Sequence, residues 1–189
     1  VRATLGAGQL ARLIGLPWRS GGGPAANVND AQAAHETQFA LWGSVLAGAT
    51  ICIHAAGWLE GGLSVSFEKL ITDIEALQTV AELFMPAAAN EAEIAFEAIA
   101  DVPPGGHFFS TAHTMERYRT AFYQPLVADL SNFGNWTAAG SKTASERANA
   151  IWKRMIEEYR PIADTEDIAA RIDGFIARRK AEGGAEAVS

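Results

Sequence analysis

Residues His54 to Leu70 read HAAGWLEGGLSVSFEKL, and Thr50, Ile51, Cys52 and Ile53 run directly into them. The four leading residues are β-branched or small and apolar, as in a short strand buried on both faces. Such a strand delivers His54 to its C-terminal edge. Gly57, Trp58, Glu60, Gly61 and Gly62 then form a loop whose glycines admit positive φ and let the backbone approach a ligand. Ser66 is placed to cap a helix that carries Phe67, Leu70, Ile71, Ile74, Leu77 and Val80 at helical spacing. Strand, loop and helix in this order make a βα unit, and α/β proteins bind their ligands at the carboxyl ends of such strands.

Upstream, Val1 to Gly15 reads as the tail of a helix with Leu10, Leu13 and Ile14 as its apolar stripe and Gly15 as its cap, so the chain reads as starting within a fold. Leu16 to Arg19 predicts a short strand, Ser20 to Pro24 a flexible loop, and Asp30 to Gly48 a helix with Phe39, Leu41, Trp42, Val45 and Leu46 clustered on it. Downstream, Asn90 and Glu93 form a capping-box pattern for a helix to about Ala100, which Pro103-Pro104-Gly105-Gly106 ends. His107 to Ser110 is then a short candidate strand, and Thr114 to Leu130 a helix kinked near Pro125. Thr143 and Glu146 repeat the capping pattern for a helix expected to bury Ala148, Ile151, Trp152, Met155 and Tyr159. Ile168, Ile172, Phe175 and Ile176 mark a last helix, and Glu182 to Ser189 reads as frayed.

Alternating strands and helices predict an α/β fold of parallel units with right-handed crossovers. Roughly three strands are visible, whereas a complete (β/α)8 TIM barrel takes ~250 residues. The alternatives are a small doubly wound domain and the C-terminal part of a larger barrel, and the start within a helix favours the barrel. On that reading residues 1–140 hold the βα units and 141–189 a helical extension packed on them.

The chain has 189 residues, 49% hydrophobic and 20% charged, with 15 Lys plus Arg against 22 Asp plus Glu and a formal net charge of −7. That balance opposes attraction to nucleic-acid phosphates or an anionic membrane. No apolar run reaches the roughly 18 residues that span a bilayer, and no charged-then-apolar signal pattern opens the chain. The single cysteine, Cys52, permits no internal disulfide, and a cytoplasmic setting is expected.

Four histidines are present: His35, His54, His107 and His113. His35 reads as a solvated helix residue, whereas His54 and His107 sit where strand ends meet glycine pairs. His54, Glu60, His107 and His113 offer zinc-competent side chains, but in no known metal spacing and without an HExxH, so no metal is expected. No GxSxG elbow, Walker loop or dinucleotide fingerprint occurs. Trp18, Trp58 and Phe108 fall in or beside presumed strand-end loops, where aromatic faces can hold a cation. Core packing suits Trp42, Trp152 and Phe175 better than it suits Trp58.

Several stretches resemble the trimethylamine methyltransferase family of corrinoid-dependent enzymes: LARLIGLPWRSGGG (Leu10 to Gly23), NDAQAAHE (Asn29 to Glu36), HAAGWLEGGLSVSFEKL, and GGHFFSTAHTMERYRTAFYQPLVADLSNFGNW (Gly105 to Trp136). With the helical tail, the resemblance covers nearly the whole chain. It implies the C-terminal part of a TIM barrel that passes a methyl group from a methylamine or betaine to the cobalt(I) of a separate corrinoid protein, with no cofactor bound directly. Archaeal trimethylamine enzymes of the family carry pyrrolysine, whose place would fall between Gly21 and Asp30. Only standard residues stand there in this chain. The resemblance is therefore to the pyrrolysine-free branch, with quaternary amines such as glycine betaine as substrates.

Direct attack on a methylated quaternary nitrogen needs no general acid, so no catalytic residue is assigned. Trp58, His54, His107, Phe108, Glu60 and Arg19 are the expected substrate-binding residues, with His54, His107 and Arg19 as candidates for a betaine carboxylate. Self-association into a homo-oligomer is expected of a partial barrel with an open strand edge. Two other readings compete: a non-catalytic barrel fragment, and a zinc-dependent lyase or hydrolase.

Overall fold

The computed structural model describes residues 1–162 and 165–184. They form two compact units, Val1–Trp152 and Lys153–Ser189. Helix α1 spans Arg2–Ile14 and ends at Gly15 as its sequence predicts. It lies against α2, Ala31–Leu46, with Gly8 so close to the Ala47 carbonyl that no Cβ fits, and the Arg12 guanidinium donates to the same carbonyl. Helix α2 is capped by Asp30, which accepts from the amides of Gln32 and Ala33 at 2.9 and 3.2 Å.

Strand β1 is Arg19–Gly21, not Leu16–Arg19. Pro17 has no N–H to give a ladder, and pairing begins only where Thr50 donates to the Trp18 carbonyl at 2.8 Å. Strand β2, Ile51–Ile53, pairs with β1 in parallel, Ser20 opposite Cys52. The expected β-strand is there, but it is not buried on both faces: Ile51 is 56% exposed, because β1 is the neighbour of β2 and its other edge is open.

After β2, where the sequence predicts only a loop, comes a further element. Trp58–Leu59 (β3) and Ser64–Val65 (β4) form an antiparallel hairpin closed by a 3₁₀ turn at Glu60–Gly62, with Trp58 opposite Val65. Helix α3, Phe67–Leu83, follows, and its Ser66 cap accepts from the Lys69 amide at 3.2 Å. The described strands make two separate two-stranded sheets and close no barrel. Mixed helix with few strands is the architecture, as in an α/β fold.

Beyond α3 the structure departs from expectation in three places. The helix expected over Asn90 to Ala100 is two short ones, α4 (Glu91–Ile94) and α5 (Phe96–Ala100), broken at Ala95 with φ 54°. Their side chains are mostly exposed, and so short a helix is marginal without a packed face. The candidate strand at His107 to Ser110 is a 3₁₀ turn over Phe108–Ser110, closed by the Thr111 amide and hydroxyl on the Phe108 carbonyl at 3.1 and 3.0 Å. The kinked helix of Thr114 to Leu130 is replaced by α6 (Ala112–Arg117), an irregular stretch, and α7 (Phe133–Ala138). Glu75 of α3 takes the amides of Val127 and Ala128, and Arg147 Nε donates to the Val127 carbonyl at 2.6 Å. Those bonds satisfy backbone groups that a helix would otherwise pair.

Thr143 and Glu146 form the expected reciprocal capping box, at 2.7 and 3.3 Å, at the start of α8, Ala144–Glu158. Its Ala148 joins Ile71 and Val127 in a buried cluster, with Ile74, Ile151 and Trp152 packed on it. Met155 and Tyr159, expected on the same buried face, are exposed. In the second unit α9 spans Glu166–Ala181, and Ile168, Ile172 and Phe175 are each more than half exposed. Of the stretch read as frayed, Glu182 closes α9, and residues 185–189 lie outside the described residues.

Candidate functional site

The carboxyl ends of β1 and β2 open side by side, and the loops that leave them are joined. Gly22 donates to the Ile53 carbonyl at 2.9 Å, Glu60 to that of Ala26 at 2.8 Å, and Gly61 to that of Pro24 at 2.9 Å. Glu36 of α2 accepts the amides of Ala25 and Ala26 at 2.7 and 3.0 Å. A hydrogen bond from Gln32, followed by these amides, holds the Glu36 carboxyl below its ordinary value. Glu36 stands inside the NDAQAAHE string, and this bonding explains a carboxylate facing the loop there.

His54 is exposed with φ 52° and sets its ring edge-on to Trp58, centroids 4.8 Å apart. Beside Trp58 lies an apolar cavity of about 280 Å³, lined by Ala56, Gly57, Trp58, Val65, Ser66, Phe67 and Leu70. That is near the low end of ligand pockets, roughly 300–1,000 Å³. Phe67 and Leu70, two of the apolar residues at helical spacing on α3, form a wall of this cavity.

The other expected site residues are spread out. Glu60, with φ 53°, accepts from the Ser64 hydroxyl at 2.6 Å and so closes its own hairpin at the rim. Arg19 is exposed in β1, opposite Ile51. His107 lies against Phe109, centroids 5.3 Å apart, and Phe108 opens the 3₁₀ turn; neither lines the cavity beside Trp58. His113 Nε2 is buried without a hydrogen-bond partner among the described residues. Among those residues no three of His, Cys, Asp and Glu gather as a metal site, so the set His54, Glu60, His107 and His113 does not assemble one.

A pair of α3 residues that the sequence does not mark as a site is bonded to the loop beside the cavity. Lys69 and Asp73 of α3 are buried, 0% and 3% exposed, and paired with each other. Lys69 Nζ also donates to Thr37 Oγ1 of α2 at 2.8 Å, while Asp73 Oδ2 accepts the Gly57 amide at 2.9 Å. Burial pushes the Asp73 carboxyl up, and the Lys69 bond and charge, with the Gly57 amide, oppose the rise. The sequence signal was there: Lys69, Asp73, Ala76 and Val80 share one helical face. A Lys and an Asp four apart look, however, like a solvated surface pair.

With the geometry established, comparison with known proteins gives a consistent answer. A family model described as trimethylamine methyltransferase matches residues 1–184. The chain is 36% identical over 179 residues to a glycine betaine methyltransferase of Desulfitobacterium hafniense (strain Y51), covering 94% of this chain and 37% of that protein. It is 32% identical over 180 residues to a trimethylamine methyltransferase MttB of D. hafniense (strain DSM 10664 / DCB-2), covering 95% and 36%. Against the trimethylamine methyltransferase MttB1 of Methanosarcina acetivorans it is 32% identical over 142 residues, covering 75% and 28%. The chain belongs to the trimethylamine methyltransferase family. It spans about a third of the length of the curated relatives it matches.

Proposed function

We propose that the chain is the C-terminal part of a (β/α)8 methyltransferase that moves a methyl group from a quaternary or tertiary methylamine, glycine-betaine-like, to a cognate corrinoid protein. The observation that carries the reading is the apolar cavity with Trp58 in its wall, just beyond the carboxyl end of β2. A trimethylated nitrogen carries its charge on methyl groups, so an aromatic face and a water-poor apolar lining bind it without a carboxylate. Glycine betaine rather than trimethylamine fits the standard residues between Gly21 and Asp30.

A corrinoid partner would supply a cobalt(I) nucleophile for the methyl carbon, and a quaternary nitrogen, or a tertiary one that arrives protonated, would leave as a neutral amine with the electron pair of its C–N bond. The surface of this chain suits the close approach of such a partner. Gly61 and Gly62 at the hairpin turn face open space, as does Gly21 at the end of β1. Trp58, Phe67 and Leu70 would hold the methylated nitrogen and exclude water. His54 at the rim, with His107 and Arg19, would meet a carboxylate or the partner. On a nitrogen that is already cationic no proton has to move, so none of them is asked to act as acid or base. Neither a nucleic acid nor a membrane is part of this reading, and no described helix is long and apolar enough to cross one.

The test is methyl transfer to reduced cobalamin, in the complete polypeptide, from glycine betaine and from trimethylamine in parallel. Methylcobalamin formed from betaine supports the reading. A folded protein that binds a quaternary amine yet yields none leaves a binding fragment in its place.

A further inference from the structure

We propose that Asp73, held by Lys69, is a positioning residue for the Trp58 cavity: its free oxygen fixes the Gly57 amide and with it the loop from His54 to Trp58. This deepens the methylamine reading and rests on it for the ligand alone. Replacing a buried ion pair by apolar side chains of similar size is often neutral or stabilising, so packing of α2 on α3 does not by itself call for Lys69 and Asp73. An apolar pair, however, has no acceptor for the Gly57 N–H. Lys69 occupies Asp73 Oδ1 and is itself bonded to Thr37 at 2.8 Å, which leaves Oδ2 aimed at Gly57 at 2.9 Å.

Gly57 is gripped from both ends. Its carbonyl accepts the Ser66 amide at 3.0 Å, the amide that opens α3. Its φ is 83°, and a Cβ there would lie 3.2 Å from that of Leu70, so the backbone sits directly on the helix. Gly57, Ser66 and Leu70 all line the cavity, and Trp58 is the next residue. The buried carboxylate therefore fixes a stretch of the cavity wall next to the indole.

Two double variants of the full chain separate this role from packing. Lys69→Met with Asp73→Asn keeps an acceptor for Gly57, whereas Lys69→Met with Asp73→Leu removes it. The probes are tetramethylammonium and glycine betaine by titration calorimetry, with amide exchange at Gly57 read by NMR. The Asn variant should keep slow Gly57 exchange and a Kd within about threefold of the parent, while the Leu variant should lose about tenfold or more in affinity. Gly57 exchange should rise by about tenfold or more in the Leu variant, with the amides of the α3 interior unchanged. A folded Leu variant with unchanged Gly57 exchange overturns the proposal. If that variant does not fold, the parent chain decides: a Gly57 amide that exchanges as fast as an open loop overturns the role, and a protected one supports it. Failure of the parent to bind either probe would count against the methylamine reading, while the exchange readout still decides the positioning role.

Discussion

Trp152 Nε1 of α8 donates to Glu68 Oε1 of α3 at 2.8 Å, and Asn149 Nδ2 donates to the same oxygen at 2.6 Å. These bonds, Asn149 first, pull the Glu68 carboxyl down to about 2. They fasten α8 to the first turn of α3, next to Phe67, whose ring lies 5.0 Å from that of Trp152. A depressed carboxyl contributes stability above its unfolded value, near 4.5, and loses it as pH falls toward about 2. Unfolding midpoints should therefore decline between about pH 4.5 and 2, and Glu68→Gln should flatten that decline. An unaltered pH profile in the variant would show that Glu68 does not couple the two helices.

Trp58→Ala, in the complete polypeptide, is expected to weaken a quaternary-ammonium ligand by roughly 0.5–2 kcal/mol through lost cation–π attraction. Titration with tetramethylammonium measures it. Equal affinity in a folded variant would remove Trp58 from the site.

His54→Gln and His107→Gln test whether the two histidines share a task. His54 touches Trp58 and His107 touches Phe109. Each change should raise the requirement for amine or corrinoid while methyl transfer remains measurable. Loss of all transfer with binding intact would assign an acid–base step to that histidine.

Gly57→Ala forces a side chain into φ 83° and against Leu70. Left-handed backbone alone costs about 1–2 kcal/mol in a residue with a Cβ, and the contact adds to it. Denaturant titration should register at least that loss. Ala at Gly61, whose Cβ meets nothing within 4 Å, carries the backbone cost without the contact and should lose less.

Glu75→Ala removes the acceptor of the Val127 and Ala128 amides and should cost about 1–3 kcal/mol, since a partly buried N–H is left unpaired. Glu75→Gln, which keeps one carbonyl, should recover part of it. Equal stability of all three proteins would mean that the irregular stretch after Pro125 is held by its apolar contacts alone.

Leu13, Phe109 and Phe122 are each at least 77% exposed, and apolar side chains in such numbers favour association. Sedimentation of the chain should show oligomers at micromolar concentration. A monomer that unfolds cooperatively would dismiss this.

Local chemistry was enough for much of the fold. Asp30, Ser66, Thr143 and Gly15 end or open their helices where the sequence predicts, because a cap is a bond between a side chain and a backbone group a few residues away. Periodicity likewise located α2, α3, α8 and α9, and the β-branched run at Ile51 located β2. Where no buried partner supplies a packing surface, pattern alone overreached: Asn90 to Ala100 broke in two, and His107 to Ser110 closed into a 3₁₀ turn on its own local bonds. At the candidate site, the position of Trp58 just beyond a strand end was legible because glycines and an aromatic residue are visible in one line of sequence. The buried Lys69–Asp73 pair was not, since two opposite charges four residues apart have the same spelling in water and in a core. Burial depends on what α2 and the Gly57 loop bring from 32 and 16 residues away, and only the assembled chain sets those distances.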